Sequence, residues 1–226
     1  MIRNGNLKEF NAPRLTDLLE NVYPERIREQ KEKLENLEGA GEEELAEAEK
    51  SLRKIEAELA ETQKIEFVYP SKTYSDEMTI TLGGNEIRLV YPEAAHTDGN
   101  TIVHFVGQRA VHMGDMLFYM HHPYIDWNAG CDTGNWIAAL EEVAGWDIDI
   151  VIPGHGELTG RDGLLWKTGY LKELRAEVQA AVEAGLTLEE TRESVKMEKY
   201  PDLPWSYMLP AGIEAVYNEL TGAARD

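Results

Sequence analysis

Three short stretches of the sequence carry side chains that could hold a metal ion. They read A-H-T-D-G-N, H-M-G-D and P-G-H-G, and they contain His96, Asp115 and His155. Each stretch lies where a predicted strand ends, and a rigid sheet can present strand-end side chains to one shared edge. Imidazole nitrogen and carboxylate oxygen are ligands that zinc accepts, and a carboxylate can bridge two ions. These three residues are therefore the candidate metal ligands.

Each signal is weak when it is taken alone. A histidine in a strand-end loop is more often a hydrogen-bonded structural residue, and an aspartate after glycine is more often a turn former or a helix cap. Thr97 and Asp98 could support His96 as hydrogen-bond partners, although a turn is their commoner role. Ligand spacing over tens of residues has no local signature. The residues alone leave the metal and the structural interpretation both open.

The first elements along the chain have helical patterns. Residues 13–22 place four apolar side chains on one face, and residues 24–63 are rich in Glu, Lys, Leu and Ala, with one break at 39–41. From Leu45 to Leu59 the apolar residues recur at steps of three and four, which is an a/d seam. The sequence therefore predicts a charged antiparallel helical hairpin at 24–63, inserted within a single partial domain of residues 1–226.

Strand patterns follow the hairpin, and helices return in the last third of the chain. The predicted strands cover residues 65–69, 78–82, 86–91, 101–106, 110–113 and 148–152. The predicted helices cover residues 134–144, 164–185 and 209–220, and Thr187 with Glu190 predicts a capping box. This order of elements indicates a mixed α/β (α+β) fold.

Composition limits the partners. The 226 residues include 42 acidic and 22 basic side chains, a formal charge of -20, which repels nucleic acid and anionic membrane surfaces. The compartment stays unknown: the 226 residues show no transmembrane run or signal peptide and are cytoplasmic by default, but a signal upstream of Met1 is not excluded. The single Cys131 excludes an internal disulfide, and nothing around it favours a nucleophile.

The remaining histidines and aromatic residues have mainly structural interpretations. We expect His104 to be a hydrogen-bonded strand histidine, and His112 to face the sheet. Tyr124, Trp127 and Trp136 could line a substrate pocket, but aromatic packing under a loop is the default expectation.

The order of the three stretches resembles the second half of the metallo-β-lactamase superfamily, over about residues 65–185. The resemblance implies the C-terminal half of an αββα sandwich. It also implies a zinc-dependent hydrolase acting on a small-molecule ester, thioester, lactone or lactam. By the same resemblance His96 belongs to the first zinc site, and His155 to the second. Asp115 is then the catalytic carboxylate that bridges the two Zn²⁺ ions around a hydroxide that attacks the carbonyl.

The sequence departs from the superfamily at one motif, H-x-H-x-D-H, which the chain does not contain. Three ligands divided between two ions fall short of the three protein ligands of a catalytic zinc. We therefore expect that Met1 lies downstream of this motif, that the chain alone binds zinc weakly with little or no hydrolysis, and that one face of its sheet lacks a partner. The alternative is a non-catalytic interaction protein whose hairpin and exposed sheet form a homodimer or pair with a separate N-terminal half.

Overall fold

The computed structural model describes residues 15–37, 41–66 and 71–225. The chain divides between Ser71 and Lys72 into two compact units, a helical one and one built around a sheet. The start of the helix predicted at 13–22, part of the break at 39–41 and most of the strand predicted at 65–69 lie outside the described residues.

The helical unit contains two long helices, α1 (Tyr23–Asn36) and α2 (Glu42–Thr62). The hydroxyl groups of Tyr23 and Thr62 lie 3.1 Å apart, and Arg26 pairs with Glu58 at 3.3 Å. Because the start of α1 therefore lies beside the end of α2, the two helices are antiparallel.

The apolar seam of α2 is narrow, as its sequence predicts. Ala48 and Ile55 are its buried residues, and charged side chains occupy the remaining faces. A π-helical turn, Leu18–Val22, runs directly into α1, so the helical pattern before residue 23 continues into the hairpin. Pro24 does not interrupt the chain, since it lies in the first turn of α1, where proline is tolerated.

The second unit is built on a five-stranded sheet in the order β1 to β5. Its strands are β1 (Glu77–Leu82), β2 (Asn85–Val90), β3 (Ile102–Phe105), β4 (Ala110–Phe118) and β5 (Ile150–His155). The first four strands are antiparallel neighbours, whereas β5 runs parallel to β4. A parallel neighbour needs a crossover, and helix α3 (Thr133–Ala144) lies in that connection.

Strand β4 is longer than the sequence predicts, and the expectation that it ends before Asp115 is wrong. Gly114 has a φ of +53°, and the pairing of β4 with β5 is irregular on both sides of it. The strand continues beyond this bulge through three buried apolar residues, Met116, Leu117 and Phe118. Asp115 is therefore presented from a bulge inside a strand and not from a loop.

Three further helices follow the sheet: α4 (Arg161–Glu183), α5 (Leu188–Ser194) and α6 (Leu209–Thr221). The predicted capping box of Thr187 and Glu190 is confirmed at the start of α5. Among the described residues, none of the helices is both long and apolar enough to cross a bilayer.

The two faces of the sheet differ in burial. Ile102, Val111 and Val151 share one face and belong to the core, together with apolar residues of α3 and α4. The opposite face carries apolar side chains that remain partly exposed: Met78, Ile80, Ile87, Val103, Phe105 and Ile152. The helices therefore cover one face of the sheet more completely than the other.

Candidate metal site

The three predicted ligands lie together near the end of β4. The ring of Phe118 contacts both histidines: its centroid is 5.7 Å from that of His96, and it stacks on His155 at 4.6 Å. Asp115 Oδ1 is 3.3 Å from His155 Nε2, and the carboxylate also acts electrostatically on His96. The fold thus brings the three residues to one place.

The open side of the site consists of Asp115, Gly154 and His155. The side chains of Asp115 and His155 are 51% and 40% exposed. Strands β4 and β5 approach so closely here that a Cβ atom on Gly154 would lie 2.5 Å from Asp115 Oδ1 and 2.6 Å from the Gly114 carbonyl oxygen. Only glycine fits between the two strands at this position, which gives the P-G-H-G stretch a structural reason.

The buried side of the site consists of His96, Trp136, Lys167 and Tyr170. His96 is 8% exposed, and its ring meets that of Trp136 edge to face at 5.3 Å. The imidazole hydrogen-bonds to the backbone of Tyr124, whereas Nε2 is buried without a hydrogen-bond partner in the described part of the chain.

Burial also sets the charge of His96. Desolvation lowers its pKa from 6.5 to about 4, against the opposing influence of Asp115, and Lys167 adds to the lowering. His96 is therefore neutral at neutral pH. Its unpartnered Nε2 then carries a lone pair that can act as a ligand.

Sequence reasoning missed Lys167, which is fully buried on α4. Its Nζ lies 4.8 Å from the ring centroid of Tyr170, 5.1 Å from that of Trp136 and 5.5 Å from that of Phe118, and no described residue hydrogen-bonds to it. Burial holds its pKa well below the usual value for lysine. The sequence contains an indication that Lys167 is buried: it lies three residues after Leu164 and four before Leu171, on the apolar face of the helix.

The donors suit zinc in type but not in number. Within residues 15–37, 41–66 and 71–225, no three or more His, Cys, Asp or Glu side chains are grouped to hold a metal ion. Asp115 and His155 form a close pair, and His96 adds one buried nitrogen. Catalytic zinc takes three protein ligands around each ion. The residues present fit part of a metal centre and not a complete one.

Several other predicted candidates have structural roles. The expectation that His104 is hydrogen-bonded is wrong, because both ring nitrogens are buried without partners in the described chain while the ring stacks on Trp146 at 4.9 Å. The Thr97 side chain hydrogen-bonds to Asn100, which confirms a turn role. Burial raises the pKa of the Cys131 thiol, so a thiolate nucleophile is disfavoured.

Aromatic residues surround the site more closely than the sequence indicates. Trp136 is fully buried and donates its indole N–H to the Met116 carbonyl at 2.8 Å, so it packs under the site and does not line an open pocket. Trp205, which no sequence pattern singles out, lies 5.1 Å from His155 and 4.7 Å from His121 between ring centroids. An aromatic residue distant in sequence therefore adjoins the open side.

The sequence of this chain matches a known protein family and one characterised enzyme subunit. A family model described as the metallo-beta-lactamase superfamily matches residues 17–155. The subunit alpha of 2,4-dinitroanisole O-demethylase from Nocardioides sp. (strain JS1661) is 31% identical over 90 residues, which are 38% of this chain and 26% of that protein. The chain thus spans about a quarter of the length of this curated relative.

Solved structures resemble the fold at low sequence identity. A metallo-beta-lactamase from Pontibacter korlensis is 21% identical with a TM-score of 0.42, covering 51% of this chain and 54% of that one. A double mutant of the sec-alkyl sulfatase PisA1 is 18% identical with a TM-score of 0.50, covering 70% of this chain and 28% of that one. At such identities the second likeness supports the fold alone.

Proposed function

Because this chain belongs to the metallo-beta-lactamase superfamily, we propose that it supplies one part of the active site of a zinc-dependent hydrolase. The observation that carries the proposal is the grouping of His96, Asp115 and His155 around Phe118. These are the residues that match the superfamily's ligands in type and in order along the chain.

Each of the three residues has a proposed task that its surroundings support. Burial keeps His96 neutral, and the hydrogen bond to the Tyr124 backbone fixes its ring so that Nε2 remains available. Asp115 and His155 are accessible from solvent on the open side, where a small-molecule substrate can reach them. The acyl-type substrates of the superfamily, an ester, thioester, lactone or lactam, are the class that we propose.

The remaining metal ligands come from outside the described residues in this proposal. The H-x-H-x-D-H motif is absent from the 226 residues. His104 stacks on Trp146 and does not replace the motif. The chain alone should therefore bind zinc weakly and hydrolyse little. A segment that carries this motif, in the same polypeptide or in a partner chain, would complete the centre.

A hydrolysis assay tests the proposal directly. The 226-residue protein is assayed with zinc and a panel of aryl esters, thioesters and lactones, alone and with a polypeptide that contains the H-x-H-x-D-H motif. We expect turnover only in the combined sample and its loss in Asp115→Asn. Equal turnover in the Asp115→Asn sample, or no turnover in any combination that contains an H-x-H-x-D-H segment, would count against it.

A second candidate function is a non-catalytic role in assembly. The partly exposed apolar face of the sheet favours it, and the demethylase relative is named a subunit. In this proposal the face pairs with another copy of the chain or with a separate N-terminal half. Light scattering combined with the hydrolysis assay separates the two candidates. A stable homodimer or complex without zinc-dependent turnover argues for assembly, whereas zinc-dependent turnover in the combined sample argues for the enzyme.

A further inference from the structure

The bulge that presents Asp115 is closed by the side chain of His112, which is not one of the candidate metal ligands. The backbone N–H of Gly114 donates to Nδ1 of His112 at 3.1 Å. Gly114 has a φ of +53°, and the pairing of β4 with β5 shifts between His112 and Gly114. The Gly114 N–H has therefore turned towards an imidazole nitrogen where the strand register is interrupted.

This hydrogen bond fixes the tautomer of His112. A nitrogen that accepts from a backbone N–H carries no proton, so the ring proton of neutral His112 lies on Nε2. The residue opposite Gly114 on β5 is Pro153, which has no N–H of its own. Regular backbone pairing is thus weakened on both strands at this point, and the imidazole supplies a local acceptor.

The direction of the Asp115 side chain depends on this turn. Gly154 packs against Gly114 and Asp115 with no room for a Cβ atom, and Asp115 Oδ1 lies 3.3 Å from His155 Nε2. A different conformation at Gly114 would rotate the following Cα–Cβ bond and separate the carboxylate from His155. We propose that His112 is the positioning residue for Asp115, holding the Gly114 turn through Nδ1. The hydrogen bond from Gly114 to His112 stands on its own, whereas its role in positioning a metal ligand rests on the proposed function.

A simpler role for His112 is to fill space on the sheet. It pairs with Val103 on β3 and Ile152 on β5, so its ring lies among apolar neighbours on the partly exposed face. Two substitutions separate the roles. His112→Phe keeps the ring and removes the acceptor, whereas His112→Asn loses the ring but places an amide oxygen at the position of Nδ1. A space-filling role favours Phe, and a positioning role favours Asn.

Nuclear magnetic resonance of the ¹⁵N-labelled chain tests the hydrogen bond without any metal. We expect a scalar coupling between the Gly114 amide nitrogen and His112 Nδ1. In His112→Phe, exchange of the Gly114 amide proton should be about two- to tenfold faster, and in His112→Asn it should return towards the wild-type rate. Absence of the coupling, or equal exchange in the Phe variant and the wild type, overturns the inference.

Zinc affinity tests the purpose of the hydrogen bond. In the presence of a polypeptide that contains the H-x-H-x-D-H motif, His112→Phe should weaken zinc binding roughly tenfold, and His112→Asn should retain most of it. His104→Phe is the matched control, because it replaces a neighbouring strand histidine that lies away from Asp115, and it should leave the affinity unchanged. If the wild type binds no zinc, the proposed function fails while the coupling still decides whether His112 holds the turn. If zinc binds equally well to the wild type and the Phe variant, the positioning role fails.

Discussion

The two sides of the candidate site are held by different physical means. On the buried side, the His96 ring packs on Trp136 and is influenced by Lys167, and burial controls its charge. On the open side, Asp115 and His155 are half exposed, and the close approach of two backbones at Gly154 controls their geometry. Substitutions on the buried side should therefore change stability through desolvation, and those on the open side should act through backbone fit.

The largest effect is expected at Gly154. A methyl group in Gly154→Ala would meet Asp115 Oδ1 and the Gly114 backbone at less than 3 Å, so β4 and β5 must move apart. We expect the free energy of unfolding to fall by about 3 kcal/mol, measured by urea denaturation. Gly107→Ala is the control, because nothing lies within 4 Å of its Cβ position. Equal stability of the two variants would contradict the close approach.

The charge of His96 makes the buried side sensitive to acid. Its folded pKa, about 4, lies below the ordinary 6.5, so the unfolded chain binds a proton first as the pH falls. The stability from neutral His96 is present above pH 6.5 and is lost as the pH falls to 4, which amounts to about 3 kcal/mol. In EDTA, His96→Phe should lose less stability than the wild type over this range. Parallel curves would show that His96 is not desolvated.

Lys167 should make the buried side less stable than an apolar residue would. An amine without a hydrogen-bond partner is costly to bury, so Lys167→Met, which keeps the length, should raise the free energy of unfolding by about 1–2 kcal/mol at neutral pH. Lys172→Met, at an exposed ion pair on the same helix, should change little.

The stability difference between Lys167→Met and the wild type should depend on pH, because burial lowers the pKa of Lys167. The folded pKa lies below 10.5, so unfolding takes up a proton between the two values and the wild type gains stability as the pH rises. The advantage of Lys167→Met should therefore shrink as the pH approaches 10.5. An advantage that grows with pH would point to a charged, partnered lysine.

The smallest effect on stability is expected at the Asp115 side chain. The pair of Asp115 and His155 is half exposed, and such pairs contribute little to folding. Asp115→Asn should change the free energy of unfolding by no more than about 0.5 kcal/mol in chemical denaturation without metal. A loss several times larger would mean that Asp115 is primarily a structural residue.

The elements were predictable from the sequence where periodicity is regular. The seam of α2, the strands β1 to β3 and the capping box of α5 follow from local patterns. Strand β4 was predicted too short, because Gly114 and Asp115 interrupt its apolar run, and the strand crosses that interruption as a bulge. A bulge depends on the neighbouring strand, which a local pattern does not contain.

The three candidate ligands could be selected from the sequence, but their surroundings could not. Residue order and the family resemblance selected His96, Asp115 and His155, which no local spacing could have joined. Lys167 was not predicted because lysine is normally exposed. Trp205 was not predicted because it is distant from His155 in sequence. Burial and long-range packing appear only when the chain has folded.

Titration of the purified chain with zinc in a calorimeter tests directly whether His96, Asp115 and His155 form part of a metal centre and not a complete one. We expect weak binding by the chain alone, further weakened in His96→Ala and His155→Ala and unchanged in His104→Ala. Binding should strengthen when a polypeptide that contains the H-x-H-x-D-H motif is added. Tight stoichiometric binding by the chain alone, lost in His96→Ala or His155→Ala, would contradict the claim, because three residues would then suffice.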